Sequence, residues 1–249
     1  MLLNNPVGHF RFLAGIEPYS CGVVADSGWE IVRVTLAELM PWREGFDFID
    51  DYLRSARFER SSLCAMELRS PQPFAMDGFI EFNRCYREVL EQWNLLVNGV
   101  NPIARTNVAP LTNPPTSVSF HAFSFIRPNA DLKRPTFVVA GAGELREGIL
   151  ESDRVVRRGE VSPGAMLEKA EYVLGVMTER LKGLGMSWDP ATAVNLYTVY
   201  SLEESMRKRI LDRIGPAARH GLCWHIARPP VLEIEFEMDV RGLACELTL

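Results

Sequence analysis

Two arginines stand in stretches of the same grammar. NPIARTNVAP (101–110) places Arg105 between proline-marked turns, and Pro114-Pro115 follow before an alternating segment. GPAARHGLCW (215–224) places Arg219 ahead of Pro229-Pro230 and a second alternating segment. A guanidinium keeps its charge at physiological pH and offers a carboxylate two parallel N–H bonds. A repeated arginine at the mouth of a strand could hold a small carboxylate-bearing metabolite in one orientation, or merely cap backbone carbonyls near its turn. Other chemistries find less support. GAGELREG follows an apolar run but lacks the G-x-G-x-x-G spacing and opens no helix, so it does not read as a dinucleotide site. The four histidines (His9, His121, His220, His225) include no H-E-x-x-H, and no cysteine pair has metal-ligand spacing, so no metal site is expected. No G-x-S-x-G supports a serine hydrolase.

The elements that must position these arginines follow one order twice. In the first half, WEIVRVTL predicts a strand, WREGFDFIDDYLRSA a helix, SLCAMELRS a strand and DGFIEFNRCYREVLEQW a second helix. The Arg105 segment and the strand VSFHAFSF follow. In the second half, the strand FVVA precedes SPGAMLEKAEYVLGVMTERLKGLG, a helix with Ser162 as N-cap, Pro163 at its first position and Gly183 or Gly185 closing it. AVNLYTVYS and SLEESMRKRILDRI predict another strand and helix. The Arg219 segment then leads into LEIEFEMDV. Its alternation puts Leu232, Ile234, Phe236 and Met238 on one face and Glu233, Glu235, Glu237 and Asp239 on the other, the latter expected to be solvated at Glu233 and Asp239. The proline-bounded PNADLKRP (128–135) separates the halves, predicting domains at 1–128 and 129–249. The fold class expected is α+β, each domain a mixed sheet covered on one face by two helices.

Composition narrows the setting. A length of 249 residues allows one large domain or two of about 120. Hydrophobic residues at 47% and charged residues at 24% match an ordinary globular chain. No apolar run approaches the roughly 20 residues of a membrane helix, so no membrane partner is expected. A net charge of -5 offers no basic footprint for nucleic acid. The N-terminus lacks the features of a signal peptide. The five cysteines are odd in number and scattered, which argues for a reducing compartment. A cytoplasmic location is expected.

The chain resembles the YjgF/Rid reactive-intermediate deaminases (the endoribonuclease L-PSP-like proteins) in two tandem copies. The resemblance rests on EPYSCG (17–22), NPIART, PAARHG, ARPPVLEIEFEMDV (227–240) and AGAGEL (140–145), the last keeping only the glycine, Gly141, of a Ser-Gly-Gln. It implies a chorismate-mutase-like fold, no cofactor, and a homotrimer of six domains with sites between neighbours. It also implies that Arg105 and Arg219 bind the carboxylate of an imino or enamine acid. Glu235 would place the attacking water, and His121 falls where the first half should carry that glutamate. Tyr19, Asn107, Gly141, Glu144 and Trp224 complete the implied substrate-binding set. An imine is already electrophilic, so its hydrolysis needs positioning, proton transfer and a placed water. Each half lacks something the other keeps, which fits either composite pockets or one decayed half. The activity expected is hydrolytic deamination of a small imino or enamine acid, an aminomuconate-like dicarboxylate being one candidate. The alternative is a non-catalytic small-acid-binding or regulatory module. A ribonuclease is disfavoured by the acidic balance. Arg105 itself is expected to be partly exposed in a pocket.

Overall fold

The computed structural model describes residues 1–146 and 151–249. The first half opens with β1 (Leu2–Asn5), β2 (Phe10–Leu13), β3 (Gly22–Ala25) and the long β4 (Trp29–Pro41). Then come α1 (Trp42–Ser55), β5 (Leu63–Arg69), α2 (Met76–Gln92), β6 (Ala104–Pro110) and β7 (Ser119–Pro128). The second half contains β8 (Phe137–Gly143), α3 (Pro163–Gly183), β9 (Ala193–Tyr197), α4 (Glu204–Ile214), β10 (Cys223–His225), β11 (Ala227–Arg228), β12 (Glu237–Gly242) and β13 (Cys245–Thr248). The start of α3 follows from its sequence: the Ser162 side chain accepts the Ala165 N–H at 3.3 Å, and proline needs no partner for the N–H it lacks. Gly185 follows the helix at φ 74°, a conformation that a Cβ disfavours.

The strands form two mixed sheets, of order β1-β2-β3-β8-β12-β9-β10 and β11-β6-β5-β7-β4-β13. Within them lies one motif repeated. In the first half β4 pairs antiparallel with β7, β7 antiparallel with β5, and β5 parallel with β6. In the second, β8 pairs antiparallel with β12, β12 antiparallel with β9, and β9 parallel with β10. The order and directions are the same, with the helices falling between corresponding strands. The margins are exchanged. The N-terminal β3 pairs with β8 of the other half, while the C-terminal β13 runs parallel to β4 and β11 pairs with β6. Neither the hairpin β1–β2 nor the tail strand β13 carries a long enough alternation to be read in advance.

One face of each sheet carries two helices. Phe46, Ile49, Tyr86 and Leu90 from α1 and α2 meet Val34, Met66 and Phe123. Met166, Val173, Met177, Met206 and Ile210 from α3 and α4 meet Val139, Leu196, Phe236 and Met238. The opposite faces turn toward each other, where Phe12, Val23, Ile31, Cys64 and Ile126 pack between the sheets. The molecule is therefore layered helix, sheet, sheet, helix, an α+β arrangement. Among the described residues no helix is long and apolar enough to cross a membrane.

This layering corrects the expectation for LEIEFEMDV. The strand starts only at Glu237; Glu233 sits at φ 72° and Leu232 is 54% exposed, both in the preceding loop. Asp239, expected in solvent, is 1% exposed. Alternation groups residues by face but does not say what each face meets. Here the polar face meets the other sheet. Arg241 reaches Glu67 at 2.6 Å across that layer, Arg33 reaches Glu67 at 2.6 Å from within its own sheet, and Asp239 accepts from Asn195 and Tyr197 at 2.7 Å each.

Candidate active site

Two short segments some eighty residues apart are pinned together at the sheet ends. Asn101 donates to the Pro18 carbonyl at 2.7 Å, and its own Oδ1 accepts the Ile103 N–H at 2.9 Å. Ser20 donates through its backbone to Ile103 O and through its hydroxyl to Pro102 O. These bonds hold Tyr19 against β6, so its ring lies 4.8 Å from the Arg105 guanidinium carbon. From the other half, the Pro229-Pro230 loop is fixed by Phe74, which donates to Pro230 O and accepts from Leu232 N. Between these segments opens a cavity of about 350 Å³. Its wall includes Tyr19, Arg105 and Asn107 from the first half and Gly141, Arg146, Arg180 and Glu237 from the second. Ile16, Phe79, Val231 and Ile234 give it an apolar lining.

Arg105 is the centre of this site. It is 3% exposed, which corrects the expectation of a partly open side chain. Tyr86, Phe82 and Phe79 surround it along with Tyr19, their rings 4.6–5.8 Å from its guanidinium carbon. Such ring faces favour a cation without neutralising it. Its Nη2 donates to Asn83 Oδ1 at 2.6 Å, but Nη1 meets no acceptor among the described residues. Asn107, two residues on and facing the same way, accepts from the Ser70 hydroxyl and likewise leaves its Nδ2 unmatched. A buried donor without an acceptor costs about 1–3 kcal/mol, more when charged. Two of them, on Arg105 and Asn107, lie in one cavity wall. Burial lowers the Arg105 pKa, and Tyr86, Tyr19 and Glu237 oppose that shift.

Among the described residues Glu237 is the carboxyl in the wall. Burial, followed by the Asp239 carboxylate, pushes its pKa well above the usual range, with Arg180 and Arg105 working against the shift. A carboxyl so placed holds its proton to higher pH and can both donate and accept. Gly141 makes room for it: a Cβ there would run into Glu237 Oε1 and come within 3.1 Å of Thr106 Cγ2. The Gly141 N–H donates to Thr106 Oγ1 at 3.1 Å, tying β8 to β6 across the sheets. Arg180, from α3, donates to the carbonyls of Ala140 and Gly141 at 3.0 and 3.3 Å and braces the same strand.

Glu144 stands behind this arrangement, not within it. It forms a fully buried pair with Lys169 at 3.0 Å. Its two oxygens also accept the backbone N–H groups of Glu235 and Phe236 at 2.6 and 3.0 Å. It thereby sets where β12 begins and turns Glu237 inward. Lys169→Met is expected to cost about 2 kcal/mol of folding stability, the range for stranding a buried acceptor. The penalty stays below that of an isolated buried charge because burial already raises the Glu144 pKa, so the carboxyl can take up a proton. Urea unfolding measures it; a loss under about 0.5 kcal/mol, the scale of a neutral surface change, would deny the pair a structural role.

The remaining expected residues lie elsewhere. Arg219 is exposed in the turn Gly215–His220 and donates to the Asp189 carbonyl at 2.8 Å, because its segment coils before β10 begins. The strand position adjoining β9 is taken by Trp224, opposite Leu196, as Arg105 stands opposite Met66. Trp224 is 41% exposed, bonds Thr198 O and does not line the cavity. Glu235 lies in the loop and pairs with Arg228 at 3.1 Å, leaving the inward position to Glu237 two residues later. His121 belongs to the charged layer around Glu67 and Arg69; burial and then Arg69 pull its pKa down to about 4, so it is neutral at physiological pH. Of the expected residues, the cavity brings together Tyr19, Arg105, Asn107 and Gly141. The sequence reading missed Glu237, Arg146 and Arg180 as site residues. Only for Glu237 was a signal present, in its two-residue offset from Glu235.

Comparison with known proteins replaces the family suggested by the motifs. The family model described as 2-aminomuconate deaminase CnbZ matches residues 2–247. A 2-amino-5-chloromuconate deaminase of Comamonas testosteroni is 40% identical over 244 residues, covering 97% of this chain and 96% of that protein. A crystal structure of a chorismatase superposes with a TM-score of 0.50 at 11% identity, over 89% of this chain and 77% of its own. A cyanuric acid hydrolase covers 88% of this chain and 69% of its own at 11% identity, with a TM-score of 0.41. The chorismatase likeness speaks to fold alone. The resemblance to YjgF/Rid proteins, carried by short motifs around Arg105 and Arg219, is overturned by a match that runs nearly end to end. The chain belongs to the CnbZ family of 2-aminomuconate deaminases.

Proposed function

We propose that the chain hydrolyses the C–N bond of an unsaturated 2-amino dicarboxylic acid of the 2-aminomuconate type. The observation that carries this reading is the unmatched, buried Nη1 of Arg105 in one cavity with the inward carboxyl of Glu237. Arg105 takes the carboxylate beside the amino-bearing carbon, with Asn107 Nδ2 supplying a further N–H. Tyr19 closes over that end of the site.

The chemistry needs one proton shuttle. Neutral Glu237 donates its proton to a carbon of the dienamine, whose electron pair moves so that the C–N bond becomes an iminium. Water then adds its oxygen to the nitrogen-bearing iminium carbon while the Glu237 carboxylate takes one of its protons. The same proton passes to the nitrogen of the tetrahedral adduct. Ammonia leaves, the hydroxyl proton passes to the Glu237 carboxylate and restores the neutral acid, and a 2-oxo acid remains. One water is consumed and one ammonia released. The apolar wall limits competing protonation by bulk water. Metal and cofactor play no part in this scheme.

The two repeated units, 1–128 and 129–249, contribute to one composite cavity: Arg105 from the first, Glu237 and Gly141 from the second. We extend the proposal to a homotrimer of such chains, for which a light-scattering mass of one chain would be the refutation. The activity is tested with 2-aminomuconate generated in situ, following ammonia release against the spontaneous rate. Release well above that rate is expected. Tight binding without it would favour the alternative, a small-acid-binding module, and overturn the deaminase reading.

A further inference from the structure

The cavity is richer in cations than one carboxylate requires. Among the described residues its wall carries three guanidinium groups, on Arg105, Arg146 and Arg180, and one carboxyl, that of Glu237. Arg180 is committed to the carbonyls of Ala140 and Gly141. Arg105 and Arg146 remain, and burial separates them. Arg105 is enclosed at the floor, whereas Arg146 is exposed at the rim, just after β8. Among the described residues the Arg146 side chain has no hydrogen-bond or ion-pair partner, unlike most arginines on this surface, such as Arg84, Arg157 and Arg158. Its backbone is tied down, the N–H donating to Arg154 O at 3.2 Å. The same wall also carries apolar side chains, Val231 and Ile234 among them.

We propose that Arg146 is the specificity-determining residue that selects dicarboxylates, holding at the rim the far carboxylate of a substrate whose near carboxylate rests on Arg105. The inference rests on the reading of the cavity as the substrate site. A linear unsaturated diacid matches the pattern of charge, apolar wall and charge. A monocarboxylate of the same length would leave the rim guanidinium facing a methyl group, and gain nothing from it. Arg146 touches no reacting atom in this arrangement, so it governs affinity and choice of substrate, while Arg105 governs both affinity and turnover.

Two stable probes separate these roles without turnover: muconate, the six-carbon dienedioate, and sorbate, the six-carbon dienoate with a methyl in place of the second carboxylate. Calorimetry on the full chain is expected to show muconate binding about tenfold more tightly than sorbate, the scale of one partly desolvated charged hydrogen-bonding pair. Arg146→Ala should abolish that preference by weakening muconate about tenfold and leaving sorbate unchanged. Arg146→Lys should restore much of it, because an exposed point charge suffices at a rim. Arg105→Ala should weaken both probes together. Retention of the muconate preference in Arg146→Ala would overturn the proposal, as would equal weakening of both probes, or failure of the wild-type chain to bind muconate. Ammonia release is read separately. Deamination that persists with an unchanged substrate preference in Arg146→Ala would refute the role of Arg146 and leave the deaminase reading standing.

Discussion

Arg105→Ala is expected to lower kcat/KM by about 2–4 kcal/mol, or roughly 30- to 1000-fold, the range for losing a buried charged partner of the substrate. The guanidinium sits among aromatic rings with one nitrogen hydrogen-bonded to Asn83 and one unmatched among the described residues, which is where the proposed function puts the substrate carboxylate. Arg105→Lys should recover little, since a single ammonium cannot reproduce the two-pronged contact at a fixed depth. Stability separates this from a structural role. Arg105→Met replaces an incompletely paired buried charge by an apolar chain of similar length, a change that is often neutral or stabilising. Its Tm is therefore expected at or above that of the wild type while activity is lost. Parallel loss of both would mean that Arg105 holds the fold and not the ligand. Undiminished turnover in Arg105→Ala would remove it from the mechanism.

Glu237→Gln should be the more damaging substitution, lowering kcat by about 10²–10⁴, the span for losing a positioned acid–base group. The amide keeps the shape of the carboxyl and cannot carry a proton. The pH dependence follows from the direction of the shift. Because burial raises the Glu237 pKa well above normal, the neutral acid persists to higher pH in the folded state than in the unfolded one. Activity that needs the acid should fall as pH rises through this raised value. Folding stability moves the same way: the contribution is fully present below the unfolded glutamate pKa, about 4.3 for an unperturbed side chain, and is lost as pH rises through the folded one. Glu237→Gln should flatten that part of the stability profile. Ammonia-release assays and urea titrations across pH provide both readings. Wild-type kcat in the variant would sink the assignment, and an unaltered stability profile would show that the carboxyl is not held neutral.

The order of elements in this chain was legible because it is written locally. Ser162, Pro163 and the apolar repeat of α3 specify that helix whatever it packs against, and β-branched and aromatic runs specify β5, β7 and β9. The doubling of the pattern was readable for the same reason. Arg105 could be singled out from its proline-flanked, repeated setting, whereas Tyr19, Asn107 and Gly141 entered only through the YjgF/Rid resemblance. The family was not legible from those motifs: Pro-Ala-Arg and Pro-Tyr-Ser are short, and a match over residues 2–247 outweighs them.

Tertiary structure decided the rest, because it alone says what covers a face. Asp239 on the polar side of β12 was expected in solvent, yet the second sheet buries that side and raises the pKa of Glu237. The Glu144–Lys169 pair, made of residues 25 apart in the chain, sets the strand start that puts Glu237 rather than Glu235 inward. Arg219 shares the sequence grammar of Arg105, but a turn rather than a strand carries it, so its side chain ends on the surface beside Asp189. Asn83, which orients Arg105, lies on a helix with no motif around it. Sequence periodicity fixes which residues travel together along an element. Which of them meet across a cavity depends on contacts between segments distant in the chain, 35 residues apart for Thr106 and Gly141 and 83 for Pro18 and Asn101, and no local spacing records those.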